Sequence, residues 1–390
     1  MYKKLQQLII KREIEKQVLQ ACGGYPVVSI TGPRQSGKTT LCRTIFPAKP
    51  YVSLEDPETL AFALNDPRRF LSQFDEGAVL DEVQRAPELF SYIQGIVDRE
   101  KKMGQYILTG SAQFLLDNRI TQTLAGRVSI FELLPFTIRE LRNANQMPDR
   151  LDELIYNGLY PPLYDRLIEP RHWYADYIRT YVERDVRQLT AVENLSTFQT
   201  FLGLCAGRIG NILDLTSLAN DAGIAPNTAK TWLSILEASY VIYLLRPHHK
   251  NFSKRLIKRP KIYFNDVGLA ARLLGIKSPG EVTNHYLRGG LFECLVINEY
   301  RKHGFNERSG DHFFFWRDHK GLEVDLIIDH GLKITPIEIK SGATVTSSYF
   351  DSLKKFNALA GKECNLGILV YGGEVNQSRS WADTVSWRDL

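Results

Sequence analysis

Apolar positions fall into three blocks along the chain. In the first, MYKKLQQLIIKREIEKQVLQ interleaves charge with apolar residues at helical spacing. PVVSITG, Pro26 to Gly32, is then a short β-branched run that ends in glycine and opens through GPRQSGKTT onto the helical pattern of LCRTIF. Two more apolar runs, GAVLDEVQRAPELF and QYILTGSAQFLL, predict strands ending in acidic or small residues. The second block, LTSLANDAGIAPNTAKTWLSILEASYVIYLLRPHH, predicts a helix with Leu215, Leu218 and Ala219 on its apolar face and a turn at Gly223. A second helix starts near Pro226 and Asn227 and turns Ala229, Trp232, Leu233 and Leu236 inward, which is helix-turn-helix spacing. YVIYLL and KIYFND follow as the strands of a hairpin. From about Asn284 the third block brings an amphipathic helix, LRGGLFECLVINEYRKHG, carrying Glu293 and Glu299, and then two or three strands in FFFWRDHKGLEVDLIIDHGLKITPIEIKSG.

A chain of 390 residues is too long for one comfortable core and is expected to form two or three domains of α/β class. Its composition, 44% hydrophobic and 24% charged, is that of a globular protein, with no low-complexity tract or internal repeat. The first residues lack the apolar run of a signal peptide, and no stretch reaches membrane-spanning length, so a cytoplasmic protein without membrane association is expected. The five cysteines are far apart and without CxxC or Cys/His spacing, which argues against a disulfide framework or a zinc site. A net charge of +5 decides little by itself. Its placement matters more: RPHHKNFSKRLIKRPK, Arg246 to Lys261, holds seven Lys/Arg and no acid.

The strand–loop–helix order around GPRQSGKTT is that of a P-loop. Gly32, Pro33, Arg34, Gln35, Ser36, Gly37, Lys38, Thr39 and Thr40 would form the cradle for the phosphates of ATP, its non-proline residues offering backbone N–H groups, while Lys38 reaches the β and γ oxygens and the Thr39 hydroxyl ligates Mg2+. Gly32 and Gly37 permit backbone angles that a side chain resists. Asp81 suits the outer-sphere magnesium ligand and Glu82 the group that orients or deprotonates water; the alternative is a DE pair capping the helix begun at Pro87. Thr109, Gly110 and Ser111 end the third strand, where Ser111 can sense the γ-phosphate. Arg127, after a small-residue turn, is either a structural C-cap or an arginine finger offered to a neighbouring subunit's nucleotide.

GPRQSGKTT, YVSLEDPETLAFALNDPRRFL, LDEVQRAPELF, LTGSAQFLL, LAGRVSIFELLPFTIREL, NGLYPPLYD and YIRTYVERDVRQL together resemble the prokaryotic AAA+ ATPase family whose members carry a C-terminal domain labelled only as of unknown function. The resemblance covers nearly the full chain. It implies a RecA-like sheet with the AAA+ strand order, ATP hydrolysis at subunit interfaces and a homo-oligomeric ring, a hexamer. Members often read GGYP where this chain has Asn157, Gly158, Leu159 and Tyr160; a turn accepts asparagine for the first glycine, so the loop is expected to persist. Glu183, Arg184 and Asp185 receive no role.

In the basic run, Lys250, Lys254, Arg255, Lys258 and Arg259 form a backbone-contact surface for DNA at the tip of a winged-helix hairpin, with Asn227, Thr228, Lys230 and Thr231 facing a groove. The alternative is a protein-packing lid with a solvated hairpin. EVDLIID places Asp325 in a strand, and PIEIKS places Glu338 and Lys340 on one face of the next, because side chains two apart in a strand point the same way. These three match the D…(E)xK arrangement of the PD-(D/E)xK nucleases, and Glu293 matches the helical glutamate of their junction-resolving branch. Two carboxylates and the Ile339 carbonyl would hold magnesium while Lys340 positions water; the alternative is a structural salt-bridge cluster.

The expected architecture is an AAA+ core over 1–140, a helical lid or linker over 141–195, a winged helix over 196–275 and a restriction-endonuclease-like α/β domain over 276–390. The expected function is an ATPase that binds and remodels or translocates DNA, branched DNA such as Holliday junctions included. The rivals are an ATP-dependent switch or scaffold acting on a protein partner, and an ATP-licensed DNA nuclease.

Overall fold

The computed structural model describes residues 9–111, 123–166, 168–182, 195–248 and 258–390. Two compact units emerge, one comprising Met1–Phe136, Ala238–Tyr240 and Phe305–Arg308, the other Thr137–Glu237, Val241–Gly304 and Ser309–Leu390.

The first unit is built on five parallel strands, β1 (Val27–Thr31), β2 (Tyr51–Ser53), β3 (Val79–Asp81), β4 (Tyr106–Gly110) and β5 (Val128–Glu132), in the order β2-β3-β4-β1-β5. Every residue of β1 is buried, as expected of a parallel strand covered on both faces. Alternation sorts its neighbours between two cores. Val27, Leu80 and Leu108 join one with Phe90 and Ile93; Val28, Ile30, Val79 and Ile107 join the other with Val18 and Leu41. The strands so fixed deliver the P-loop, Asp81 and Ser111 to their carboxyl ends, where ligands bind in open parallel sheets.

The second unit opens with helices Ile138–Asn143, Leu151–Asn157 and Pro170–Tyr177. The first carries a capping box between Thr137 and Glu140. At the end of the second, the left-handed angle falls on Gly158 (φ +66°), so Asn157 is spared it and the turn keeps its glycine where one is needed. A Cβ at Gly158 would stand 2.0 Å from the Tyr174 hydroxyl. Asp266 explains that crowding: its carboxylate accepts from Leu159 N, Leu269 N and the Tyr174 hydroxyl at 2.8, 2.9 and 2.5 Å.

Helices Leu195–Ala206, Leu215–Asp221 and Pro226–Ala238 follow, the last two separated by a turn with Gly223 at φ +66°. Ala229, Trp232, Leu233 and Leu236 are buried, and Asn227, Lys230 and Thr231 are exposed. The antiparallel strands β6 (Ile242–Leu245) and β7 (Lys261–Phe264) pair Leu245 with Lys261. Beyond helix Arg288–Glu307 lies a six-stranded sheet. Its strands are β8 (His312–Arg317), β9 (Glu323–Asp329), β10 (Ile334–Lys340), β11 (Gly367–Tyr371), β12 (Gln377–Ser378) and β13 (Ala382–Ser386), in the order β12-β13-β11-β10-β9-β8. Among the described residues, no helix is long and apolar enough to cross a membrane, and all five cysteines are free thiols.

Candidate nucleotide site and C-terminal carboxylate cluster

The loop after β1 is shaped by backbone angles that its residue types allow. Gly32 has φ +146°, and a Cβ there would lie 2.2 Å from the Leu133 carbonyl oxygen; Gly37, at φ +95°, caps helix Lys38–Ile45. Gln35 also takes a left-handed angle, φ +63°. The Lys38 ammonium is buried and donates to the carbonyls of Gly32 and Pro33 at 2.9 and 2.7 Å. Burial pushes it down to about 8, against the opposing pull of Glu82 and Asp81. Ser36 Oγ is fully buried and has no hydrogen-bond partner among the described residues, while Thr40 is exposed.

Asp81 is held by neutral donors. Its Oδ2 accepts from Thr39 Oγ1 at 2.9 Å and from the Tyr51 hydroxyl; its Oδ1 accepts from Thr109 Oγ1 and, at 3.2 Å, from Glu82 N. Glu82 has a left-handed backbone, φ +55°, an unusual angle for a glutamate and one of the local strains that gather at functional sites. Its Oε2 accepts from Ser111 Oγ at 3.1 Å and from Gln84 Nε2. Lys38, Thr39, Asp81, Glu82 and Ser111 therefore form one connected site at the carboxyl ends of three adjacent strands.

Three partners of this site have no counterpart in the motif reading. Arg12, almost wholly buried, donates to Ser36 O at 2.8 Å and to Leu134 O at 2.7 Å, which braces the loop from behind. Tyr51 shares Asp81, and its phenol is pushed up by burial and then by that carboxylate. Gln84 shares Glu82. Arg127 stands apart: it precedes β5, its carbonyl accepts from Val27 N at 3.2 Å, and it lies at the amino ends of the strands. Its guanidinium forms a two-pronged pair with Asp98, both side chains partly exposed.

These residues fit a magnesium–nucleotide complex. The crowded Gly32 cradle, the orphaned Ser36 hydroxyl and the Thr39/Asp81 pair supply loop amides for phosphate and oxygens for the ion.

In the second unit, β9 and β10 pair antiparallel with Ile337 opposite Leu326, and Asp325 Oδ2 accepts from Ile339 N at 2.8 Å. Lys340 Nζ lies 2.6 Å from Glu338 Oε1 and 3.6 Å from Asp325 Oδ2. Burial, then the Asp325 charge, pushes the Glu338 carboxyl above its ordinary range, and its Oε2 has no partner among the described residues. Glu293 joins through Glu323, a residue absent from the motif reading: oxygens of Glu293, Glu323 and Asp325 lie within 4.8 Å of one another. Glu299 does not join; it is buried and accepts from Ile138 N at 2.7 Å and Lys302 Nζ at 2.8 Å.

Lys261, the last residue of the basic run and the first of β7, turns inward. Its side chain is 3% exposed, with Nζ 2.8 Å from Glu293 Oε1 and in contact with Glu323. Burial opposes that charge, yet Glu293, Asp325 and Glu323 hold the ammonium above its ordinary value. Lys261 thus bonds two of the three converging carboxylates, Glu293 and Glu323, while the expected magnesium ligands Asp325 and Glu338 face Lys340. Of the expected DNA contacts, Lys258 and Arg259 are exposed, and Arg259 pairs with Asp214. Lys250, Lys254 and Arg255 lie outside the described residues, as do Glu183, Arg184 and Asp185.

Family models match the chain in three successive segments: an AAA domain over residues 24–142, and domains of unknown function over 148–280 (DUF8612) and 288–388 (DUF4143). The uncharacterized proteins Rv2008c of Mycobacterium tuberculosis and Mb2031c of Mycobacterium bovis are each 31% identical over 369 residues, covering 94% of this chain and 81% of theirs. Among solved structures, a Walker-type ATPase of Pyrococcus abyssi is similar at TM-score 0.47 and 15% identity, over 70% of this chain and 97% of that one. AMPPCP-bound DnaA from Aquifex aeolicus is similar at TM-score 0.30 and 15% identity, over 58% of this chain and 86% of that one.

Proposed function

The chain belongs to the family of these two mycobacterial proteins and carries an AAA-type P-loop ATPase domain, and we propose that it is a ring-forming, DNA-remodelling motor. The convergence of Lys38, Thr39, Asp81, Glu82 and Ser111 at one end of the parallel sheet is the observation that supports ATP hydrolysis. The backbone N–H groups of the loop and of the helix N-terminus would hold the phosphates, and Lys38 would exchange the carbonyls of Gly32 and Pro33 for phosphate oxygens. Thr39 with Asp81 would hold magnesium, which would supply charge neutralisation at the phosphates. Glu82, positioned by Ser111 and Gln84, orients the attacking water. Arg127 sits away from its own chain's site and serves the nucleotide of the next subunit in a hexameric ring.

The proposed division of labour is an ATPase core over 1–140, a helical lid over 141–195, a winged helix over 196–275 and a nuclease-like domain over 276–390. Duplex or branched DNA is gripped by phosphate contacts from the hairpin, Lys250, Lys254, Arg255, Lys258 and Arg259, with Asn227, Lys230 and Thr231 presented on an exposed helix face. The setting is the cytoplasm.

Steady-state ATPase with linear duplex, single-stranded and four-way-junction DNA tests this reading. Turnover is expected to rise with DNA, most with the junction, and the rise is expected to vanish when Lys254, Arg255, Lys258 and Arg259 are changed to alanine. Turnover indifferent to every DNA would instead favour a nucleotide-dependent switch acting on a protein partner.

A further inference from the structure

We propose that Lys261 is the resident cation of the C-terminal carboxylate cluster, so that the native chain holds no divalent metal there and a metal site appears only when that ammonium is removed.

The hairpin aims Lys261 at the cluster. Pairing of Lys261 with Leu245 fixes the register of β7, and alternation puts Tyr263 on the same face, where its hydroxyl also donates to Glu293 Oε1. Two donors from one strand face thus converge on one carboxylate oxygen. The ammonium is nearly excluded from solvent, contacts Glu323 as well, and lies 5.5 Å from the centre of the Phe315 ring.

Space and charge both oppose a second cation. Magnesium bonds oxygen at about 2.0–2.1 Å and requires near-octahedral geometry. An ion reaching Glu293, Glu323 and Asp325 together would stand where Lys261 makes its 2.8 Å bond, with like charges in a buried setting. Three further acceptors of the cluster are engaged, though Glu338 Oε2 has no partner among the described residues. Arg317 Nη1 lies 3.0 Å from Glu323 Oε2, Ile339 N bonds Asp325 Oδ2, and Lys340 binds Glu338 Oε1. Lys261, Lys340 and Arg317 thus face Glu293, Glu323 and Asp325, with the buried Glu338 beside them. Remove the ammonium, and three carboxylates with oxygens within 4.8 Å of one another remain, two of them without the cation they shared.

Mn2+ binding to nucleotide-free full-length protein, followed by electron paramagnetic resonance, tests the assignment. Wild type is expected to bind no Mn2+ that depends on Asp325. Lys261→Met is expected to gain one ion per chain at least tenfold more tightly than any wild-type binding, and to lose it when Asp325→Asn is added. Its melting temperature should rise with Mn2+ while that of wild type stays fixed. An Asp325-dependent Mn2+ in wild type overturns the proposal, as does a folded Lys261→Met protein that gains none. If Lys261→Met does not fold, the comparison of wild type with Asp325→Asn decides: equal Mn2+ binding supports the resident ammonium, and a loss in Asp325→Asn overturns it. Lys261→Arg, which retains a cation, should remain without Mn2+ at the cluster.

Discussion

Each of the two units brings lysine and carboxylates together, with opposite electrostatic results. Near the P-loop, Lys38 bonds to backbone carbonyls, and Asp81 and Glu82 are held by hydroxyls, an amide and a backbone N–H. Neutral donors fix a carboxylate without cancelling its charge, so it can still receive a cation. In the C-terminal cluster cations join the neutral donors Tyr263 and Ile339 N: Lys261 and Arg317 on Glu323, Lys261 on Glu293, Lys340 on Glu338 and Asp325. Three cations already face those four carboxylates. Residue types that motif reading treats alike thus differ in what they can bind, and the identity of the hydrogen-bond donor decides.

The largest effect should come from a charge that neither cluster contains. Arg127→Ala is expected to lower ATP turnover about 10³-fold or more while leaving nucleotide binding nearly intact; an isolated monomer hydrolysing at the assembled rate would remove the trans role. Next, Glu82→Gln keeps shape and partners but loses the charge, and is expected to cost about 10²-fold or more in kcat with ATP affinity preserved. Unchanged turnover would show that the neutral-donor site is not held ready for chemistry.

Lys261→Met should cost about 3–5 kcal/mol of stability, because it leaves Glu293 without its cation and Glu323 with Arg317 alone. A loss below about 1 kcal/mol by denaturant melts would mean that the cation does not hold the cluster. The smallest effect concerns pH. Burial first, then Asp325, raises the folded-state pKa of Glu338 above its ordinary 4.5, with Lys340 opposing and Glu293 adding a further upward push. The folded chain therefore holds that proton more tightly than the unfolded chain. Its contribution to stability is complete below the ordinary value and is lost as pH rises through the raised one. Glu338→Gln should flatten that decline in a melting-temperature series.

Motifs were legible where local spacing determines geometry. The glycines of GPRQSGKTT mark backbone angles, and the two-residue alternation of EVDLIID and PIEIK places Asp325, Glu338 and Lys340 together. Glu323 was within the same rule, two residues before Asp325 on one strand. Arg12 and Tyr51 were not, since their partners lie 24 and 30 residues away and the intervening pattern carries no trace of the contact. Lys261 was hidden by its neighbours. It ends a run of basic residues but begins the strand KIYF, and strand alternation with Tyr263 was the signal that separated it from the tip.

Counting Mn2+ ions per chain with and without a non-hydrolysable ATP analogue tests the contrast most directly. The expected result is one ion that appears with nucleotide, disappears in Thr39→Ala and ignores Asp325→Asn. An ion that stays when nucleotide is withdrawn and disappears in Asp325→Asn would contradict the account.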